Sequence, residues 1–143
     1  MDEADLRLRN LTYELFVELG RAPTAAETGI AAGADVSEGW RRLHDAHALV
    51  LDAAGEIRMA NPFSAVPTPI RVQTRGRWWY GNCAWDAIGI CAALHTDGRI
   101  ETSCPDCCEP IALEIRDGRP SDESLVFHVL VPAQHWWDDI VFS

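Results

Sequence analysis

Cys83 and Asp86 stand three residues apart at the head of a small apolar stretch, Cys83-Ala84-Trp85-Asp86-Ala87-Ile88-Gly89-Ile90-Cys91. Positions three apart share a helix face, so a helix here brings a soft nucleophile and a proton carrier into one small volume. Asn82 is a good N-cap, which puts Cys83 in the first turn, where unpaired N–H groups and the helix dipole favour the thiolate. The plainer reading is a small buried thiol beside a carboxylate that caps the helix or pairs with Arg75 or Arg77. Spacing alone favours that plainer reading, because free cysteine is often buried.

The remaining cysteines are Cys91, Cys104, Cys107 and Cys108. Cys91 lies eight residues along the helix from Cys83, about 12 Å by rise, too far to share a ligand. Cys104-Pro105-Asp106-Cys107 has the spacing of half a zinc site. A structural zinc needs four ligands, however, and no second Cys-x-x-Cys or His pair is present. A metal set drawn from Cys83, Cys104, Cys107 and Cys108, with His128 or His135, is the form such a site would take. Trp79, Trp85 and Trp136 are candidates for the wall of an apolar pocket.

These residues need a scaffold, and its signals run along the chain. Leu8, Leu11, Leu15 and Leu19 predict a helix over residues 5–19 that stops at Gly20. Thr24-Ala25-Ala26-Glu27 is a capping box that opens a second helix, closed by Gly33. Val36, Trp40, Leu43, His47 and Val50 mark a third helix over about 36–48, with His47 on its core face. Residues 49–52 and 57–60 then read as a hairpin. Three helices and a hairpin make a winged-helix-like domain over residues 1–62. The Pro-rich stretch 63–69 is an extended connector. Residues 70–143 form a mixed α/β domain with a mostly antiparallel sheet and the cysteine-bearing helix. Its expected strands are 70–73, 77–80, 99–102 after an Asp97-Gly98 hairpin turn, 111–115 and 126–131, with another beginning near 140. The fold class is α+β.

Charge narrows the partners. All twelve basic residues are arginine, against 22 Asp and Glu, giving a net charge of −10 and a pI near 4.8. Such a surface repels nucleic acid and anionic lipid. The third helix, which would enter a DNA groove, carries Asp35, Glu38, Arg41, Arg42 and Asp45, so a packing role for this domain outweighs DNA binding. No apolar run is long enough to span a bilayer, and the acidic start Met1-Asp2-Glu3 is unlike a signal peptide. A cytoplasmic location with reduced thiols is expected.

The order of a winged helix, an aromatic-rich strand, Cys83-Ala84-Trp85-Asp86 on a helix, Ser103-Cys104 with Pro110 downstream, and Asp139-Ile140-Val141-Phe142 resembles the bacterial organomercurial (alkylmercury) lyases. The likeness covers nearly the whole chain. It implies an enzyme that cuts a carbon–mercury bond by protonolysis, with organomercurials and cellular thiols as small-molecule partners and no organic cofactor. By motif position Cys83 is the mercury-binding thiolate, Asp86 the proton donor, and Cys104 a structural cysteine. The family's second catalytic cysteine follows an apolar segment matched here by residues 138–142. The resemblance therefore puts Ser143 at or next to that position, and implies that the second thiolate is replaced or that its strand lies beyond a truncated C-terminus. The alternatives are a non-catalytic protein that binds a soft metal or thiol ligand, and a metal-sensing winged-helix regulator.

Overall fold

Asp2 opens the first helix, α1 (Glu3–Leu19). Its carboxyl accepts the Asp5 N–H at 2.9 Å and the Asp5 carboxyl accepts the Asp2 N–H, a capping box upstream of the expected start. Gly20 closes the helix in the left-handed conformation at φ 72°. Helix α2 (Ala25–Ala32) begins at the expected Thr24 box. Helix α3 (Ser37–Asp45) follows and sets Trp40 and Leu43 fully inside. The Trp40 indole N–H donates to the buried Thr12 hydroxyl at 3.0 Å, and Arg42 pairs with buried Asp5 at 2.8 Å, so α1 and α3 are joined by satisfied polar contacts. Strands β1 (Val50–Leu51), β2 (Ile57–Ala60) and β3 (Phe63–Ser64) form a small antiparallel sheet.

The computed structural model describes residues 1–142. Its second sheet is built from β4 (Arg71–Thr74), β5 (Arg77–Tyr80), β6 (Gly98–Ser103), β7 (Pro110–Arg116) and β8 (Arg119–Pro120), in the order β5-β4-β6-β7-β8 and antiparallel throughout. Helix α4 (Ala84–Ala93) connects β5 to β6 and packs across β4 and β6. The architecture is α+β, as expected. One apolar core runs through both sheets, from Phe16, Trp40 and Phe63 to Val72, Trp79, Ile90, Ile100 and Leu113.

Four expectations are corrected. His47 is not on a core face: α3 ends before it, its φ is 60°, and its exposed ring stacks on Trp137 at 4.0 Å. Asp97-Gly98 is not a hairpin turn but the passage from α4 into β6. Residues 126–131 form no strand. Val126 and Leu130 are 90% and 82% exposed, and β propensity without a partner strand to complete the ladder does not hold a strand together. Residues 133–138 make a 3₁₀ helix, and 140–142 are turn instead of strand.

Gly98 is required for a close approach. A Cβ there would lie 2.6 Å from the Cys91 sulfur and 3.1 Å from the Gln73 carbonyl oxygen. Since Cys91 is locked in the core, Gly98→Ala should destabilise the chain by about 1–3 kcal/mol, the usual cost of overpacking. Urea unfolding checks this, with a lowered midpoint at unchanged slope as the expected outcome.

Candidate active site

The loop between β5 and α4 carries the pair singled out by spacing. Gly81 ends β5 against β3 through a bridge to Phe63, and the Thr68 hydroxyl donates to its carbonyl at 2.7 Å. A Cβ at Gly81 would stand 3.1 Å from both the Ala87 nitrogen and the Cys83 oxygen, so a side chain there would push against the backbone at the start of the helix. Helix α4 then begins at Ala84, one residue later than Asn82 capping implies. Cys83 is itself the N-cap, with extended backbone at φ −144° and ψ 178°, and its carbonyl accepts the Ala87 N–H at 3.1 Å.

Asn82 is thereby freed for a different task. Its amide donates to Asp86 Oδ2 and to Asn61 Oδ1, both at 3.1 Å. Tyr13 of α1 donates its hydroxyl to the Asn61 carbonyl at 2.9 Å, and the Arg9 guanidinium sits 4.9 Å over the Tyr13 ring. The carboxyl is therefore held from behind by a chain of polar contacts that reaches the N-terminal helix. Tyr13, Asn61 and the amide role of Asn82 were not read from sequence. Tyr13 and Asn61 are 48 residues apart, and no local pattern reports such a contact.

The titration of the pair follows from its half-buried setting. Burial pushes the Asp86 carboxyl above its ordinary range, against the opposing hydrogen bonds from the Asn82 amide and the Cys83 thiol. Burial likewise raises the Cys83 thiol; the Asp86 backbone N–H pulls it down and the Asp86 charge pushes it up again. The expected thiolate-favouring helix terminus is thus outweighed by desolvation. Asp86 is the base within reach of that thiol, and a carboxyl raised by burial is suited to hold a proton and pass it on. By contrast the Cys104 thiol is held below its ordinary range, first by the Cys107 backbone N–H. In the free protein at pH 7.5, iodoacetamide should modify Cys104 well before Cys83, and the Cys83 rate should keep climbing as pH rises past 9. Peptide mapping of timed reactions measures both.

The other candidates are dispersed. Cys91 is buried against β6. Cys104, Cys107 and Cys108 lie together on the β6–β7 turn, with the last two exposed. Among the described residues no group of three or more His, Cys, Asp and Glu side chains is arranged to hold a metal ion, so the four-cysteine set is not assembled. Trp79 does not wall a pocket. It is 3% exposed and packs on Phe63 and Phe16 at 5.2 and 6.4 Å. Trp85 is 65% exposed on α4 and meets Phe127 at 6.3 Å, while half-buried Trp136 donates its indole N–H to the Val131 carbonyl. Ser143 lies outside the described residues.

A thiol at a helix N-cap and a raised carboxyl one turn on thus stand over the antiparallel sheet of an α+β domain. The alkylmercury lyase family model matches residues 63–142, and the chain belongs to that family. A solved structure, the mercury-bound form of MerB2, is similar in fold, with a TM-score of 0.66 and 23% sequence identity. The match covers 85% of this chain and 60% of that one, so this chain spans about three-fifths of that protein's length. No curated protein sequence matches. No helix among the described residues is long and apolar enough to cross a membrane.

Proposed function

We propose that this protein cleaves the carbon–mercury bond of an organomercurial, with Cys83 as the mercury-binding thiolate and Asp86 as the proton carrier. The observation that carries this reading is the placement of Cys83 at the N-cap of α4 with Asp86 one turn on, its half-buried carboxyl held by the Asn82 amide. Asp86 takes the thiol proton as Cys83 sulfur displaces a small thiolate from R–Hg–SR′; the thiolate leaves and a Cys83–S–Hg–R adduct remains. The protonated carboxyl then delivers its proton to the carbon as the C–Hg bond breaks, releasing RH and leaving mercury(II) on sulfur. Mercury is soft and strongly prefers thiolate, so a second sulfur must support the departing carbon. A cellular thiol supplies it in this reading. The substrate is thus a thiol-exchanged organomercurial, and mercury is substrate in place of cofactor.

The test is methane or benzene release from methyl- or phenylmercury in excess small thiol. Release above the protein-free rate that disappears in Cys83→Ala supports the reading. Stoichiometric retention of the organomercurial without hydrocarbon would select a binding protein in its place.

A further inference from the structure

The β6–β7 turn is not used by the reaction proposed for Cys83, yet it holds three of the five cysteines. β6 and β7 are registered up to Ser103 opposite Pro110, and beyond that pair the Cys104 N–H donates to the Glu109 carbonyl at 2.9 Å. The Cys108 N–H returns to the Cys104 carbonyl, also at 2.9 Å, which folds Cys104-Pro105-Asp106-Cys107 into one tight turn. Cys108 completes it with φ 62°, a left-handed conformation that non-glycine residues seldom adopt. Cys104 is partly buried and Cys107 exposed, and the turn closed by these two hydrogen bonds carries both thiols. A Cys-x-x-Cys pair closed into one turn can offer both sulfurs to a single thiophilic ion.

We propose that Cys104 and Cys107 form a second, two-sulfur site for a soft cation of the kind content with two ligands, separate from Cys83. Ligand count decides the class of ion. Zinc needs four donors, and among the described residues not even three gather here. Two thiolates suit a soft d¹⁰ cation such as mercury(II) or copper(I). A linear S–metal–S unit needs sulfurs about 4.6 Å apart, twice a metal–sulfur bond of roughly 2.3 Å. Cys107 is exposed, so its side chain has solvent space in which to adopt that separation. The exchange balances as Hg(SR)₂ plus two cysteine thiols giving Cys104–S–Hg–S–Cys107 plus two RSH, each protein proton leaving on a released thiol. Both sulfurs belong to one turn, so their effective concentration far exceeds that of a competing free thiol. No single cysteine elsewhere has that advantage.

The reduced full chain is loaded with one equivalent of mercury(II) chloride, held in a thousandfold excess of glutathione and desalted, and the retained metal is counted. Wild type, Cys83→Ser and Cys108→Ser should each keep close to one mercury per chain, whereas Cys104→Ser and Cys107→Ser should keep less than a tenth. Far-UV melting of the serine variants reports whether the turn changes disturb the fold. On the wild-type chain, bound mercury should also protect Cys104 and Cys107 from alkylation and leave Cys108 reactive. Unchanged retention in Cys104→Ser or Cys107→Ser, loss in Cys108→Ser or Cys83→Ser, or no retention by wild type would overturn the proposal. None of these outcomes depends on hydrocarbon release at Cys83, so the two sites stand or fall separately.

Discussion

Replacing Asp86 by asparagine is expected to leave Cys83 able to take an organomercurial while slowing hydrocarbon release about 10²–10⁴-fold, the usual worth of a positioned proton donor. Asparagine keeps the size of the side chain and can still accept the Asn82 amide hydrogen bond through its oxygen, so the loop need not move. What it lacks is a proton to give. Intact-mass analysis should find the alkylmercury adduct persisting in Asp86→Asn, and headspace chromatography should find little RH. The same variant should gain stability at neutral pH. Burial holds the folded carboxyl above the ordinary aspartate range, so the contribution from its neutral form is fully present below that range and is lost as pH rises through the raised folded value. At pH 7 the wild type keeps a half-buried carboxylate and the variant does not. Its melting temperature should therefore exceed that of wild type at pH 7, with the gap closing toward pH 4. A residue whose removal stabilises the fold and stops the chemistry is one retained for function.

The second large effect lies in the packing beneath the site. Phe63 is 2% exposed, stacks on Phe16 at 5.1 Å and meets Trp79 in a tilted contact at 5.2 Å, joining α1 to the sheet that carries α4. Its backbone also bridges to Gly81, at the base of the Cys83 loop. Phe63→Ala should cost about 3–5 kcal/mol by combined loss of burial and cavity formation. That is a large part of the stability of an ordinary domain. Because the loop is anchored through the same residue, the variant should also lose Cys83 chemistry at temperatures where circular dichroism still shows it folded. Chemical denaturation and hydrocarbon release on one preparation measure the two losses together.

Local signals in the sequence were faithful where the governing interaction was local. The Thr24 box, the Gly20 stop and the alternation of Ile111, Leu113 and Ile115 each act within a few residues, and each is present. Cys83 and Asp86 could be paired from spacing alone, because a helix brings i and i+3 together whatever surrounds it. The start of that helix slipped by one residue, an ordinary error in placing helix ends, yet it changed the chemistry expected of the sulfur. The upward push on the thiol could not be read from sequence at all, since it depends on how deeply the folded chain buries the sulfur and on the charge of the neighbouring carboxyl. Trp79 and Trp85 were equally aromatic in sequence, and only the sheet decides that one faces the core and the other solvent. The run Val126–Val131 has every local mark of a strand, but a strand is completed by a partner and none pairs with it among the described residues.

The most direct measurement is single-turnover benzene release from one equivalent of phenylmercury per chain, in excess small thiol, for the wild type and Cys83→Ser side by side. The proposed mechanism predicts close to one benzene per wild-type chain and release at the protein-free rate from the variant. Equal release from both, or wild-type release no faster than thiol alone, would contradict it.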